Sequence, residues 1–281
     1  MILPRRLRVK GRPSLIRFTA DRRPYPQYVG ASYAFSDGAS NYNAGQFEVT
    51  RRAGGLFVNA HYTFSNASSN FLNLENPYKH DYWNRDAFNS RHRFVFNSTY
   101  DLPFGKGRTH MSSSPKIVEQ AFGGWQLGWI AYLQSGQYYT PTFSGSDPSN
   151  TNTLGGIPDR IGDGNLDSLN PNRLFDASAF AVPPQGRFGN SGVNILEGPG
   201  LNLHHASAVK QFPITERVKF VLQTMLTNVA NHPIFDFPTG NSLNISVPGS
   251  VARATQLRDA GTGGREMSGA RQFQFRFRVE F

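Results

Sequence analysis

The strict alternation at the end of the chain constrains the fold more than any other feature. From Phe273 to Phe281 every second residue is apolar, and glutamine, arginine or glutamate fills the positions between them. Successive side chains of a β-strand point to opposite faces, so the pattern predicts a strand over 271–281 with one aromatic and one charged face. A strand of a soluble β-sandwich alternates in the same way. The concentration of phenylalanine and the charge at the terminus favour a membrane β-barrel, which is apolar toward lipid and polar toward its lumen.

The same period of two recurs along the chain. It is clear over residues 56–64, 92–102, 125–134 and 218–227, and noisier over residues 27–35, 42–51 and 201–212. Together with the last strand this makes about eight strands, each near the 9–11 residues that a tilted membrane-spanning strand requires. The sequence therefore predicts an all-β fold, an antiparallel transmembrane β-barrel segment.

The alternation also assigns side chains to the two faces of the predicted wall. The residues predicted to face lipid are Phe273, Phe275, Phe94, Phe96, Phe220 and Leu222. Amphipathic aromatic residues concentrate at bilayer interfaces, and this role is predicted for Trp125, Trp129 and Tyr100. The alternative for all of these residues is the core of an ordinary sheet.

Composition and charge exclude several other classes of protein. Charged residues make up 17% of the chain, against about 25% in typical soluble domains. No run of 18 apolar residues occurs, so only a closed barrel could span a bilayer. The chain has no cysteine, which argues against a disulfide scaffold or a thiolate metal site.

The net charge of +10 is concentrated at the start of the chain. Residues 1–26 contain eight basic residues and a single acid, Asp21. Basic patches interleaved with aromatic residues do not occur in the remainder, so nucleic acid is not an expected partner. No apolar stretch of signal-peptide length follows the basic residues. The predicted organisation is a basic segment over 1–26, poorly ordered or out of context, and barrel wall over 27–281.

The connections between the predicted strands are of two kinds. Segments 51–55 and 213–216 are short, with glycine or proline as turn formers. Segments 66–90, 135–200 and 230–270 are long and rich in Gly, Pro, Asn and Ser, and they could contain short hairpins of their own. Outer-membrane barrels have short periplasmic turns and long extracellular loops, and counting strands back from the C-terminus places all three long loops on one side. Segment 103–124 is longer than this rule predicts for the other side.

Two groups of residues are of types that bind metal ions, but their spacing does not support a metal site. Segment 158–167 brings three aspartates together beside glycines, but the spacing does not fit an EF-hand, and a polar surface turn is the preferred interpretation. His204 and His205 are adjacent, so a strand would point them to opposite faces, which argues against a shared metal. No nucleophile elbow or phosphate-binding loop occurs. We therefore predict no catalytic residue, metal or cofactor, and no enzymatic activity.

Ten short segments, in order, resemble the C-terminal barrel of TonB-dependent receptors of the Oar-like type, common in acidobacterial genomes. They are RRPYPQ (22–27), SNYNA (40–44), HRFV (92–95), LPFGKGR (102–108), GGWQL (123–127), LQSGQ (133–137), FGNSG (188–192), GPGL (198–201), FPITER (212–217) and NHP (231–233). Each segment is a weak signal alone, and their shared order is the stronger one. The resemblance runs from about residue 22 to the end of the chain.

The resemblance implies a larger barrel of about 22 strands around a plug, of which this chain would supply only the C-terminal part, incomplete and not competent for transport alone. It further implies a location in the outer membrane of a Gram-negative type bacterium, contact with outer-membrane lipid, and a link to the TonB system through a region N-terminal to this chain. Phe281, with Val279 and Phe277, would form the signal for the barrel-assembly machinery. The transported nutrient is not indicated. The alternatives are a self-contained eight-stranded barrel, structural or adhesive, and a soluble all-β binding module.

Overall fold

Within the described residues, the long elements of the fold are seven β-strands joined in the order of the chain. The computed structural model describes residues 38–70, 83–236, 238–255 and 270–281, with a few isolated positions between Leu15 and Leu257. The long strands are β1 (Ser40–Ala53), β2 (Leu56–Ser69), β4 (His92–Asp101), β5 (Trp125–Gln134), β10 (Leu201–Pro213), β11 (Lys219–Thr227) and β12 (Gln272–Glu280). The strand predicted over 27–35 lies, apart from residue 27, outside the described residues.

These strands form one antiparallel sheet with the order β1-β2-β4-β5-β10-β11-β12, to which the short strand β3 (Asn84–Arg85) adds a pairing with β2. Each long strand thus pairs with the long strand next to it in the chain. Within the described residues the sheet is open, because β1 and β12 each pair on one side only. The prediction of an all-β fold built from antiparallel strands is confirmed.

The connections alternate between two rims of the sheet, as predicted. At one rim, which we call the short rim, lie the β1–β2 turn, the β4–β5 link over 102–124 and the β10–β11 turn. The β1–β2 turn consists of Gly54 and Gly55, whose φ angles are 57° and 82°. Glycine adopts positive φ without steric cost, so this pair allows Ala53 to pair directly with Leu56. The long loops all start from the opposite rim, which we call the loop rim.

The strands begin and end close to the predicted positions, with one clear exception. β5 has the predicted bounds, whereas β2 continues to Ser69 instead of ending near residue 65. Its last residues are polar on both faces, so alternation gave no signal there. They are held by pairing instead: Ser69 pairs with Ser40 of β1 and with Asn84 of β3.

The link over 102–124 contains the helix α1 (Lys116–Phe122). The seven residues of this helix are too few to show a helical period in the sequence, which explains why only an overlong connection was predicted. Among the described residues no helix has the length and apolar character needed to cross a membrane.

The loops at the loop rim are folded. The segment between β5 and β10 contains the short strands β6 (Tyr138–Tyr139), β7 (Asp159–Arg160), β8 (Phe180–Ala181) and β9 (Leu196–Glu197), which pair as β6–β9 and β7–β8. The long loop thus contains short paired strands, but β6 and β9 are separated in the chain by β7 and β8 and do not form a hairpin. The buried core of the loops contains Tyr139, Phe175, Ala179, Phe180, Leu196 and, from the loop after β11, Ala252.

Candidate membrane-facing surface and the opposite polar face

The sheet has one face that is apolar over most of its width, which we call the apolar face. Residues paired directly across antiparallel strands share a face, so the register can be followed from strand to strand. Phe277 of β12 pairs with Leu222 of β11, Leu222 pairs with Lys210 of β10, and Lys210 pairs with Trp125 of β5. The same procedure places all the residues predicted to meet lipid or its interfaces on this face: Phe94, Phe96, Tyr100, Trp125, Trp129, Phe220, Leu222, Phe273 and Phe275, with Phe277 and Val279 of the predicted assembly signal.

The apolar face is exposed to an extent that is unusual for a soluble protein. On β12, Phe273, Phe275, Phe277 and Val279 are between 54% and 65% exposed, and Phe281 beyond the strand is 99% exposed. Phe47 and Val49 on β1 are 67% and 63% exposed. Contiguous exposed apolar surface marks a face that another apolar phase or partner covers. Contact of this face with lipid stays a prediction.

The predicted interfacial aromatics lie at two different heights on the apolar face. Tyr100 and Trp125 lie at the short rim, since Tyr100 is the penultimate residue of β4 and Trp125 begins β5. Trp129 lies halfway along β5, where its ring centroid is 5.6 Å from that of His204.

A lysine interrupts the apolar face at the short rim. Lys210 is 1% exposed, and its ammonium group donates a hydrogen bond to the carbonyl oxygen of Gly123. The ammonium nitrogen also lies 5.6 Å from the centroid of the Trp125 ring and 5.2 Å from that of Phe212. The charge is therefore compensated by a carbonyl oxygen and by two aromatic ring faces rather than by solvent. Sequence reasoning missed Lys210, although its place in the row Ala206, Ala208, Lys210, Phe212 marks it as a cation on the apolar side.

The other face of the sheet, which we call the polar face, is lined by hydrogen-bonded polar groups. Glu48 accepts a hydrogen bond from Asn59 at 2.9 Å and lies 3.5 Å from the imidazole of His61. Asp101 accepts one from Gln126 at 2.8 Å, and Glu280 forms an ion pair with Arg278. Each acid has a different partner, so they do not form a catalytic pair of carboxylates. Polar groups of this kind are suited to the lumen side of a barrel wall.

The loops cover the end of the polar face at the loop rim. Ile234, from the loop after β11, packs against Leu201 and Leu203 of β10 and against Tyr132 of β5, all of which are polar-face positions. On the same face of the sheet, the backbone amide of Asn228 donates a hydrogen bond to Nδ1 of His205 at 3.3 Å. Apolar residues occur on the polar face here because loop residues, not solvent, lie over them.

The aspartate-rich segment after β6 is engaged in ion pairs. Asp159 is 7% exposed and is held by both terminal nitrogens of Arg187, one of them at 2.7 Å from Oδ1. Asp163 pairs with Arg160. Asp159 is therefore buried, which corrects the interpretation of the whole segment as a surface turn. Among the described residues no group of three His, Cys, Asp or Glu side chains is placed to hold a metal ion.

His204 and His205 point to opposite faces, as the strand period predicts. His204 lies on the apolar face beside Trp129, and His205 lies on the polar face, 6.2 Å from the Tyr132 ring between centroids. They share no site.

Tyr139 lies in the core of the long loop, outside the sheet. Burial raises the pKa of its hydroxyl well above the usual range. That hydroxyl donates to the carbonyl oxygen of Leu174 at 2.9 Å.

Several of the short segments on which the resemblance was based lie against one another. A Cβ atom at Gly105 would lie 2.9 Å from the Cα atom of Gly123, so the LPFGKGR and GGWQL segments meet at the short rim. A Cβ atom at Gly136 would lie 1.9 Å from the carbonyl oxygen of Gly198, so the LQSGQ and GPGL segments meet at the loop rim. These segments therefore mark close approaches of two backbones, which only glycine permits.

The comparisons with known proteins agree with this geometry. No curated protein and no solved structure matches the sequence. A family model for an outer-membrane β-barrel domain matches residues 10–274, nearly the whole chain. This match removes the soluble all-β module from the alternatives and indicates the outer membrane as the location. The chain belongs to the outer-membrane β-barrel domain family.

Proposed function

We propose that this chain builds part of the wall of a TonB-dependent receptor of the Oar-like type, which imports a scarce or large nutrient across the outer membrane. In this proposal the apolar face contacts outer-membrane lipid, the polar face lines the lumen, and the barrel-assembly machinery binds the strand that ends in Phe281. The chain contributes wall to the transporter, is not competent for transport alone, and has no catalytic role.

The open sheet is the main structural feature that supports the proposal. Seven long strands follow one another without crossing, and within the described residues neither β1 nor β12 has a partner on its outer side. Unpaired strand edges are not stable in a bilayer, where every backbone polar group needs a partner. Further strands at both edges would supply those partners, as the wall of a larger barrel of about 22 strands does.

The loop rim gives a second argument. Its loops are joined to each other by hydrogen bonds. The backbone amide of Thr142 donates to the carbonyl oxygen of Leu243 at 2.8 Å, and the side-chain amide of Asn194 donates to the carbonyl oxygen of Arg85 at 2.6 Å. Three loops that form one folded layer over the polar face suit a receptor that selects what enters its lumen. A porin-like open channel would need that end of the lumen to be clear.

The proposal is tested by comparing two gene deletions in the organism that carries this chain. Deleting the gene for this protein should slow growth on one limiting nutrient, and deleting the TonB gene should slow growth on the same nutrient. The double deletion should grow no worse on that nutrient than the TonB deletion, because both losses affect one uptake step. A growth defect that is additive in the double deletion would rule out a TonB-dependent role.

The alternative is a self-contained small barrel with a structural or adhesive role. The sequence favours it in one respect: the strand predicted over 27–35 would raise the number of long strands from the seven among the described residues to an even eight, enough to close a small barrel. The two functions differ in whether β12 pairs with that segment of the same chain.

A further inference from the structure

The link over 102–124 and the first residue of β5 form an open apolar cavity at the short rim. The cavity has a volume of about 270 Å³, and its lining consists of Leu102, Phe104, Met111, Phe122 and Trp125. Leu102 follows β4 directly and donates its amide to the carbonyl oxygen of Trp125 at 2.9 Å. The cavity is therefore attached to the base of the β4–β5 pair.

This cavity continues the apolar face. Trp125 belongs to that face through its pairing with Lys210, and Leu102 follows Tyr100 of the same face by two residues. The outer parts of the link also expose apolar groups: Phe122 is 61% exposed, and Ile117 in the same helix is 82% exposed. An apolar surface that extends from the strands onto a short helix is suited to the boundary of a bilayer.

Hydrogen bonds attach the link to the strands, so the cavity is present without a ligand. The indole nitrogen of Trp125 donates to the carbonyl oxygen of Ala121 at 3.0 Å, and Lys210 donates to Gly123. The side chain of Glu119 fills the space where Cβ atoms would stand at Gly105 and Gly123. A preformed site loses less conformational entropy when a ligand enters it.

The link that lines the cavity also carries exposed lysines. Lys106 follows the lining residue Phe104 by two positions, and Lys116 begins the helix that contains Phe122; both lysines are exposed. A basic residue near a membrane surface attracts anionic lipid headgroups by about 1 kcal/mol. The combination of an apolar cavity with exposed lysines in the same link has the chemistry of a lipid with a long chain and a negative headgroup.

We propose that this cavity binds one acyl chain of an anionic phospholipid from the periplasmic leaflet, with Lys106 and Lys116 near its headgroup. The inference rests on the proposed contact of the apolar face with lipid. It adds a specific lipid site at the short rim, separate from general solvation of the wall.

The experiment uses the full chain in vesicles that contain phosphatidylglycerol with a photoactivatable group on one acyl chain. After illumination, labelled peptides are identified by mass spectrometry. Labelling is expected on the peptide that contains Phe122, and also on the peptide that contains Phe275 of the apolar face. Leu102→Trp, which fills the cavity, should reduce the first labelling several-fold and leave the second unchanged, with folding checked by heat-modifiable gel mobility.

The headgroup is tested by competition with unlabelled zwitterionic lipid. Lys106→Gln and Lys116→Gln should each reduce the preference of the Phe122 peptide for phosphatidylglycerol by about fivefold, which corresponds to about 1 kcal/mol per charge. Lys219→Gln is the matched control, because Lys219 also lies at the short rim but on the polar face.

The outcomes separate the two levels of the proposal. Labelling of the Phe275 peptide without the Phe122 peptide would overturn the lipid site and leave lipid contact of the apolar face intact. Labelling of neither peptide would overturn both. Equal labelling of the Phe122 peptide in the wild type and in a folded Leu102→Trp variant would also overturn the site. If that variant does not fold, the lysine variants decide: an unchanged preference for phosphatidylglycerol in both Lys106→Gln and Lys116→Gln would overturn the site.

Discussion

At the scale of the residue, neighbouring positions of one strand meet different surroundings. Phe96 lies on the apolar face of β4 and Asn97 on the polar face, since they pair with Ala131 and Ile130 of β5. The two residues are adjacent in the strand, so they lie at nearly the same height in the sheet, and their side chains point in opposite directions. They therefore form a matched pair for measuring what each face contacts.

We predict that Phe96→Arg destabilises the folded protein in phospholipid bilayers by about 2–4 kcal/mol, the cost of an arginine facing lipid near the bilayer midplane. Asn97→Arg should change the free energy of unfolding by much less, because that face accepts charge. Urea titration of the protein in vesicles measures both. Equal losses for the two variants would contradict the assignment of the apolar face to lipid.

The terminal aromatic residue is the other residue with a separable role. Phe281 follows β12, and its side chain is almost entirely exposed, so its removal leaves no cavity in the protein. We predict that deleting Phe281 lowers the amount of protein assembled in the outer membrane several-fold, while Phe281→Trp retains it. Quantitative blotting of outer-membrane fractions measures assembly. Normal assembly after the deletion would show that the signal lies elsewhere.

At the scale of the element, alternation predicted the strands and missed what joins them. In β5, tryptophan and leucine alternate with polar residues or glycine over its first half, and its bounds were correct. The end of β2 was missed because Ser68 and Ser69 are held by pairing with β3, which is two residues long. A strand that short carries no period. For the same reason the four short strands of the loops could not be predicted from the sequence. Their positions depend on the packing of Tyr139, Phe175 and Phe180.

The polar and apolar faces were predicted because the face of a strand residue depends only on its parity, that is, on whether its position in the strand is odd or even. Lys210 shows the limit of that reasoning. Parity gives its face but not its partner, and the Gly123 carbonyl that accepts its hydrogen bond lies 87 residues away in the chain. The ion pair of Asp159 with Arg187 was missed for the same reason, since it joins residues 28 positions apart.

The glycines at the loop rim allow a prediction about a whole connection. Gly136→Ala would place a methyl group 1.9 Å from the carbonyl oxygen of Gly198, which forces the start and the end of the β5–β10 loop apart. We predict that limited proteolysis cuts residues 135–200 faster in this variant. Gly249→Ala is the matched control, because a Cβ atom there meets no atom within 4 Å. Equal cleavage rates in the two variants would show that the close approach does not hold the loop.

At the scale of the whole molecule, the open question is which strand completes the sheet beside β12. The chain has no native cysteine, so engineered pairs report pairing without background. Gln274→Cys with Met225→Cys is a positive control, because these residues pair directly between β11 and β12. The test pairs combine Gln274→Cys with a cysteine at each position of 28–35 in turn.

We predict that the control pair forms an intramolecular disulfide in outer-membrane preparations and that none of the test pairs does. This result is expected if β12 has another neighbour in a larger wall. Gel mobility without reductant measures both. A disulfide between β12 and the 28–35 segment of the same chain would instead establish the self-contained small barrel.

The order of the strands also has an evolutionary consequence. Because each long strand pairs with its successor, adding or removing one hairpin at either end of this sheet changes the circumference of a barrel without rethreading any other strand. Each duplication of an up-and-down hairpin would therefore widen a barrel by two strands and leave the order of the existing strands unchanged.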